Sequence, residues 1–357
     1  MLRDQLQQLA QAQQGPCVTI SLATHRTHPD NLADAIQLKN LVKEAEERLL
    51  KEYDKRAIAQ LLENLQSIEK EINHEYNTEG LYIFASNEVK EIIKTSWPPE
   101  SDSVELDNRF SLRNLIKSYN RSETYYILYL SQSGVQLYEA LNDRVIAEIK
   151  EGGFPFKENT HYHTDSLKNS DPKSVDNKLK EYFNRIDKGV VHVLRDSGLH
   201  CIVASTKYNY DLLLSVADVP QIYSGHIPVD YNNNDLHHLA SAAWEVIAAI
   251  QKQRRADAIG DVLAAISAGK VVTDIQEIWR AAHEGRGDTL LVRNELSIPA
   301  GIFKTNIEVN EDRTTPGVTD DIVSDIAWQV LSKNGKVYFT DQPQLEQLGE
   351  IALKVRY

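Results

Sequence analysis

Cysteine is nearly absent from this chain: two residues in 357, Cys17 and Cys201, each inside an apolar strand-like run. That excludes a disulfide framework, and no pair of cysteines stands at zinc-ligand spacing. Both thiols are expected to be buried and structural. A basic excess is also lacking. Thirty-nine lysines and arginines face 52 acidic residues for a net charge of −13, and no third of the chain is basic overall. Nonspecific affinity for a phosphate backbone comes from cation clusters, so the chain is not a general nucleic-acid binder, and no DNA partner is expected; a local RNA-facing patch stays open. No apolar run reaches the length of a membrane span, and the opening helix, Met1–Leu9, has no signal-peptide core. A soluble, cytoplasmic protein with no membrane partner is expected. The phosphate-cradling and nucleophile-elbow patterns GxxxxGK[ST], GxGxxG and GxSxG are missing, as are internal repeats and low-complexity tracts.

What is present is ordinary globular composition, 41% apolar and 25% charged over 357 residues, enough for two or three domains with their own cores. Residues 1–120 read as an N-terminal α/β domain. The strand Cys17–Leu22 runs into a polar loop, Ala23–Asp30, which ends at a helix N-cap. Apolar positions Ile36, Leu41, Val42, Ala45, Leu49 and Leu50 then recur at helical spacing. A second stripe follows at Ile58, Leu61, Leu62, Leu65, Ile68 and Ile72, with Asp54 as its cap. The pattern predicts a helical hairpin on a sheet continued by Gly80–Ala85 and Val89–Lys94.

Residues 121–252 read as a second domain with a connecting helix. Three strand runs, Tyr125–Ser131, Val135–Ala140 and Arg144–Ile149, are separated by turn residues. A helix bearing Val175, Leu179, Phe183, Ile186, Val190 and Leu194 comes next, then the strand Cys201–Ala204. Three meandering strands, a helix and a further strand are the order of a ribonuclease H-like sheet. The helix from Asp235 leads into a third domain, 253–357. Gly269 ends a helix there, a second helix starts near Ile275, and strand Thr289–Val292, helix Asp321–Ser332 and strand Lys336–Thr340 alternate as an αβα sandwich.

Local phrases add a resemblance to this order. Tyr125–Tyr138, Gly269–Val292, Ile20–Asn31 and Leu38–Leu49 are similar to the corresponding segments of the bacterial archaeo-eukaryotic release factor family. Its members resemble the middle and C-terminal domains of archaeo-eukaryotic peptide-chain release factors. The resemblance implies a three-domain α/β protein: an N-terminal α/β domain, a ribonuclease H-like middle domain and a C-terminal αβα sandwich like ribosomal proteins that bind kinked RNA. It also implies a Gly-Gly-Gln tripeptide after the third strand of the middle domain, where the glutamine positions the water that releases the peptide. Here Gly152-Gly153 is followed by Phe154, so the water-orienting side chain is missing and no catalytic residue is assigned.

Other constellations are weaker. His161 and His163 would share one face of an extended segment with Asp165 near, but a second ligand pair is missing, so neither metal nor cofactor is expected. His237 and His238 are adjacent on a helix and diverge. Glu139 and Glu148 are too few carboxylates for a two-metal nuclease. Thr24, His25, Arg26, Thr27 and His28 lie between a strand and a helix N-terminus, where an anion or ligand could be held. Gly285–Asp288 reads as a turn. Lys157, Lys168 and Lys173 make one loop locally basic, and Lys252, Arg254 and Arg255 form a cluster at a domain junction; these six are the candidate RNA contacts. The reading is a non-catalytic translation-associated factor that docks on ribosomes or structured RNA. A protein-interaction or regulatory module of the same fold is the alternative, and a hydrolase acting through the 151–170 loop the third.

Overall fold

The computed structural model describes the chain except for residues 1, 13–14, 132–133, 158–171, 196, 230–234, 304–305, 311–317 and 320, and except for the side chains of 2–4 and 172–176. It is a mixed α/β protein that divides into two compact units, residues 1–121 together with 254–357, and residues 122–253.

The first unit opens with α1 (Leu2–Gln11), β1 (Cys17–Ala23), α2 (Asn31–Glu52) and α3 (Ala59–Glu71), followed by β2 (Gly80–Ala85), β3 (Lys90–Thr95), β4 (Ser103–Asp107) and α4 (Arg113–Arg121). The strands pair antiparallel in the order β3-β2-β1-β4. Period-two alternation divides their side chains. Val18, Ile20, Leu22, Leu81 and Ile83 pack under the α2–α3 hairpin, while Cys17, Tyr82, Phe84 and Ile93 face the other way. Both cysteines are buried and free, and burial pushes their thiols upward, Cys17 to about 12.

Helix α2 departs from the expected stripe. Leu38, Leu41, Val42, Ala45 and Leu49 are its buried face, whereas Ile36 and Leu50 are 66% and 49% exposed. Positions two apart point to opposite sides of an α-helix, so Ile36 cannot share the face of Leu38. Nor does Asp54 cap α3, which starts at Ala59; the Asp54 carboxylate instead accepts the Arg56 amide in the turn between the two helices.

The second unit contains β5 (Thr124–Ser131), β6 (Gly134–Leu141), β7 (Arg144–Glu148), the short β8 (Phe156–Lys157), α5 (Pro172–Leu194), β9 (Cys201–Ser205), α6 (Lys207–Val216) and β10 (Tyr223–Pro228). The sheet order is β10-β9-β5-β6-β7, with β8 paired to β6. β5, β6 and β7 form an antiparallel meander, and β5, β9 and β10 run parallel. This is the ribonuclease H-like arrangement expected from the strand order. α5 and α6 cover one face through Phe183, Ile186, Val190 and Leu213. The other face, Tyr125, Ile127, Ile202 and Ala204, is covered by Ala240, Ala243 and Ile247 of α7 (Leu236–Ala265).

The unit boundary falls within α7, between Gln253 and Arg254. Beyond it lie β11 (Val271–Val272), α8 (Ile275–His283), β12 (Gly287–Val292), β13 (Ala300–Phe303), β14 (Asn306–Val309), β15 (Val318–Thr319), α9 (Ile322–Ser332), β16 (Lys336–Phe339) and β17 (Ile351–Val355). One sheet has the order β11-β17-β12-β16, and β14-β13-β15 form a small second sheet. Ile259 and Val262 of α7 pack on Leu291 and Ala352, and α8 and α9 pack on the opposite face with Leu290, Val292 and Leu353, which makes an αβα sandwich. That second face belongs to the same apolar core as Leu6, Leu9, Tyr82, Phe84, Phe110 and Leu115, so the first and last segments of the chain share one interior. Polar ties reinforce it. Arg113 Nε lies 2.7 Å from Asp321 Oδ2, with both side chains nearly buried, and Lys117 Nζ donates to Glu100 and to the Asn294 carbonyl. No described helix is long and apolar enough to cross a membrane.

Candidate functional site

The Gly-Gly corner follows β7. Gly152 and Gly153 have φ of 65° and 92°, a left-handed conformation that favours glycine. Space is as demanding as conformation. A Cβ on Gly152 would lie 2.7 Å from the Gly189 carbonyl oxygen of α5, and one on Gly189 would lie 2.5 Å from the Gly152 oxygen. The amide of Phe154 donates to the Glu151 carbonyl at 3.1 Å and closes the turn. Phe154 itself is 4% exposed and meets Phe156 edge-on at 5.0 Å, and Phe156 in turn meets Tyr182 at 6.5 Å. The Tyr182 hydroxyl donates to the Lys157 carbonyl at 3.1 Å. Gly152 and Gly189 thus seat the strand end against α5, and Phe154, the residue after the glycine pair, is a core anchor. Lys157 is exposed at the end of β8. His161, His163, Asp165 and Lys168 lie outside the described residues, as does the side chain of Lys173.

The loop between β1 and α2 is organised by Asp34, which the sequence reading passed over. This carboxylate is buried in the first turn of α2. Its Oδ2 accepts the His25 amide at 2.8 Å and Asn77 Nδ2 at 2.7 Å, and its Oδ1 lies 2.8 Å from His25 Nδ1. Asn77 also contacts His74 Nδ1 at 3.2 Å. Thr24 is buried and donates from its hydroxyl to the Thr78 carbonyl at 2.9 Å, and Arg26 pairs with Glu79. Of the five candidate ligand residues, Thr24 and Arg26 are therefore turned onto the 77–79 segment, while Thr27, His28 and the His25 ring are exposed. The bond to Asp34 holds the His25 imidazolium above its ordinary range, and burial holds His74 below it. An aspartate-backed imidazole facing water can exchange protons at its outer nitrogen.

Of the junction cations on α7, Lys252 belongs to the second unit, and Arg254 and Arg255 to the first. Lys252 and Arg254 are exposed. Arg255 is half-buried, and burial followed by the charge of Arg121 lowers its guanidinium. Glu139 pairs with Ala147 across the β6–β7 ladder and Glu148 with Tyr138, which puts the two carboxylates on opposite faces of the sheet. They do not converge. No group of three metal-ligating side chains comes together among the described residues.

Two further polar clusters have structural explanations. At the start of the parallel strands, His200 Nδ1 contacts the Ser224 hydroxyl, and Glu123 Oε1 stands 3.7 Å from His200 Nε2, beyond hydrogen-bond reach. Gln251 Nε2 holds the other Glu123 oxygen at 2.9 Å, so the group ties β5, β9, β10 and α7 together. A cavity of about 20 Å³ in the first unit is lined by Glu105, Asp107, Arg109, Asp321 and Asp325, among others. Burial pushes Asp325 up to about 6 against the pull of Arg109 at 3.6 Å.

The sheet orders and the alternating C-terminal segment define a mixed α/β chain of two compact units. Residues 124–286 match the family model of bacterial archaeo-eukaryotic release factor family 3, which bears out the resemblance read from the sequence. Among solved structures the chain is similar to Archaeoglobus fulgidus Pelota at 15% identity, over 78% of this chain and 79% of that one, with a TM-score of 0.38. It is also similar to Saccharomyces cerevisiae Dom34, described as a translation termination-like factor interacting with Hbs1, at 12% identity over 75% and 74% of the two chains and a TM-score of 0.39. The archaeal translation termination factor aRF1 aligns at 15% identity over 100% and 97%, with a TM-score of 0.25. No curated protein matches the chain.

Proposed function

We propose that this chain is a translation-associated factor that docks on ribosomes or structured RNA without releasing the nascent peptide. The family match over 124–286 supports the translation link, and the observation that carries the reading is the Gly-Gly corner. In the release factors this place belongs to a tripeptide that must reach the peptidyl-transferase centre. Here Phe154 is packed against Phe156 and α5, leaving neither the glutamine nor a freely presented glycine pair at that point. Binding without hydrolysis is the activity that remains. Lys157, Lys168 and Lys173, with Lys252, Arg254 and Arg255, are the cations assigned to the RNA backbone. Their number is small within a chain of net charge −13, so attachment is local.

The test is co-sedimentation with ribosomes at two salt concentrations. Wild-type protein should pellet with ribosomes and dissociate as salt rises. Replacing Lys157, Lys168, Lys173, Arg254 and Arg255 together should weaken binding and flatten the salt slope by close to one logarithmic unit per lost phosphate contact. Peptidyl-tRNA hydrolysis should stay at the uncatalysed rate; release that depends on Gly153 would overturn the reading. The acidic balance favours a second reading, a protein-interaction module, and wild type that never pellets with ribosomes would select it.

A further inference from the structure

The outward face of α2 carries exposed aliphatic side chains. Leu32, Ile36 and Leu50 are 59%, 66% and 49% exposed on this helix. At 100° per residue they fall, with Lys39 and Lys43, inside an arc of about 60° on the side away from Leu38, Leu41, Ala45 and Leu49. The stripe is roughly 27 Å long at 1.5 Å per residue. Aliphatic side chains stand at both ends and two exposed lysines between them. Among the described residues Lys43 makes a long 3.8 Å ion pair with Glu47, and exposed pairs of that kind are worth little. Two leucines and an isoleucine in one line on a helix that already buries a full apolar face exceed what internal packing requires. Single exposed aliphatics need no explanation, but an aligned set with its own charge pattern does.

We propose that this stripe, Leu32–Ile36–Lys39–Lys43–Leu50, docks an acidic amphipathic helix of a partner protein. Its apolar residues would cover the two ends, and its carboxylates would meet the lysines. Charge decides among the occupants. A second copy laid antiparallel would set Leu32 against Leu50 but Lys39 against Lys43, and a parallel copy would set each lysine against itself; both bring like charges together. RNA would use the lysines and leave the aliphatic ends without a role, because single strands are held by aromatic stacking and the stripe has no aromatic residue. An acidic helix satisfies both features, with helix-on-helix packing for affinity and charge for register.

The experiment uses two designed helical peptides with the same leucines near both ends, one with glutamates between them and one with lysines. Binding to the full chain is read by fluorescence anisotropy. The glutamate peptide should bind about tenfold or more tightly than the lysine peptide, and added salt should narrow the gap. Leu32→Ser with Ile36→Ser should weaken the glutamate peptide by about tenfold or more. Lys39→Glu with Lys43→Glu should invert the preference. All four positions are exposed, so the variants should keep the wild-type circular dichroism and melting temperature. Absence of binding, equal binding of the two peptides, or indifference to the Leu32 and Ile36 changes overturns the proposal. So does displacement of the peptide by a single-stranded RNA oligomer, or a dimer that the Ile36→Ser change dissolves; the first result would assign the stripe to phosphate and the second to another copy of this chain.

Discussion

Asp34 shows how much one buried side chain can organise. Its two oxygens take three contacts, two of them from His25 and one from Asn77, and so join the β1–α2 loop, the helix and the segment before β2. The same pairing sets the charge of His25. A histidine whose folded pKa is raised contributes stability that is fully present below its unfolded value and lost as pH rises through the folded one. His25 should therefore titrate above an ordinary imidazole in an NMR pH series. Asp34→Asn should bring it back to the ordinary range and loosen the loop, seen as faster amide exchange at His25. An unchanged titration in the variant would place the cause elsewhere. The importance of Asp34 was not legible in the sequence, because its partners Asn77 and His25 come from segments that only the folded sheet brings beside it.

At the scale of elements, the corner between β7 and α5 depends on two glycines and one aromatic residue. Gly152 and Gly189 allow the strand end and the helix backbone to approach closely, and Phe154 locks the contact. Phe154→Ala should cost about 3–5 kcal/mol in denaturant unfolding, the usual range for a buried phenylalanine. Gly152→Ala should also destabilise, since its Cβ would meet the Gly189 oxygen and its φ is positive. Phe154→Gln, which would create a Gly-Gly-Gln tripeptide, should likewise destabilise the unit and fail to create peptide release, because burial holds this position inside. The placement of the glycines at a strand end was readable from the chain. The burial of Phe154 was not, since Phe156, Tyr182 and Gly189 reach it through pairing and packing. The α2 stripe has the same lesson: Ile36 and Leu50 fit a helical period, but the period alone does not say which of two apolar faces meets the sheet.

For the whole molecule, the shared core of the first and last segments is the main consequence. Leu6, Phe84 and Leu115 lie in one cluster with Trp279, Ile326 and Leu353, and the Arg113–Asp321 pair is buried beside it. Residues 1–121 expressed alone would expose that surface and leave Arg113 without its carboxylate. They should show no cooperative unfolding, while 122–253, whose two apolar layers are complete, should fold alone. Circular dichroism melts of the two fragments check this, and a cooperative transition in 1–121 would refute it. Asp321→Ala in the full chain should be strongly destabilising, because it strands a buried guanidinium.

The sequence by itself determined the mixed α/β class, the β5–β6–β7 meander followed by a helix and β9, the alternating pattern of the C-terminal segment and the resemblance that the family match bears out, while β8 and β10 of the middle sheet came only from the structure. These follow from local periodicity and turn residues, which act over a few positions. Only the tertiary structure decided that the two ends of the chain share an interior, that Asp34 orders the polar loop, that Phe154 is a core residue and that α2 keeps an apolar face outward. Each of these depends on which separate segments of the chain meet or on which side of a helix wins the sheet, and hydrophobic burial makes that choice without any local mark in the sequence.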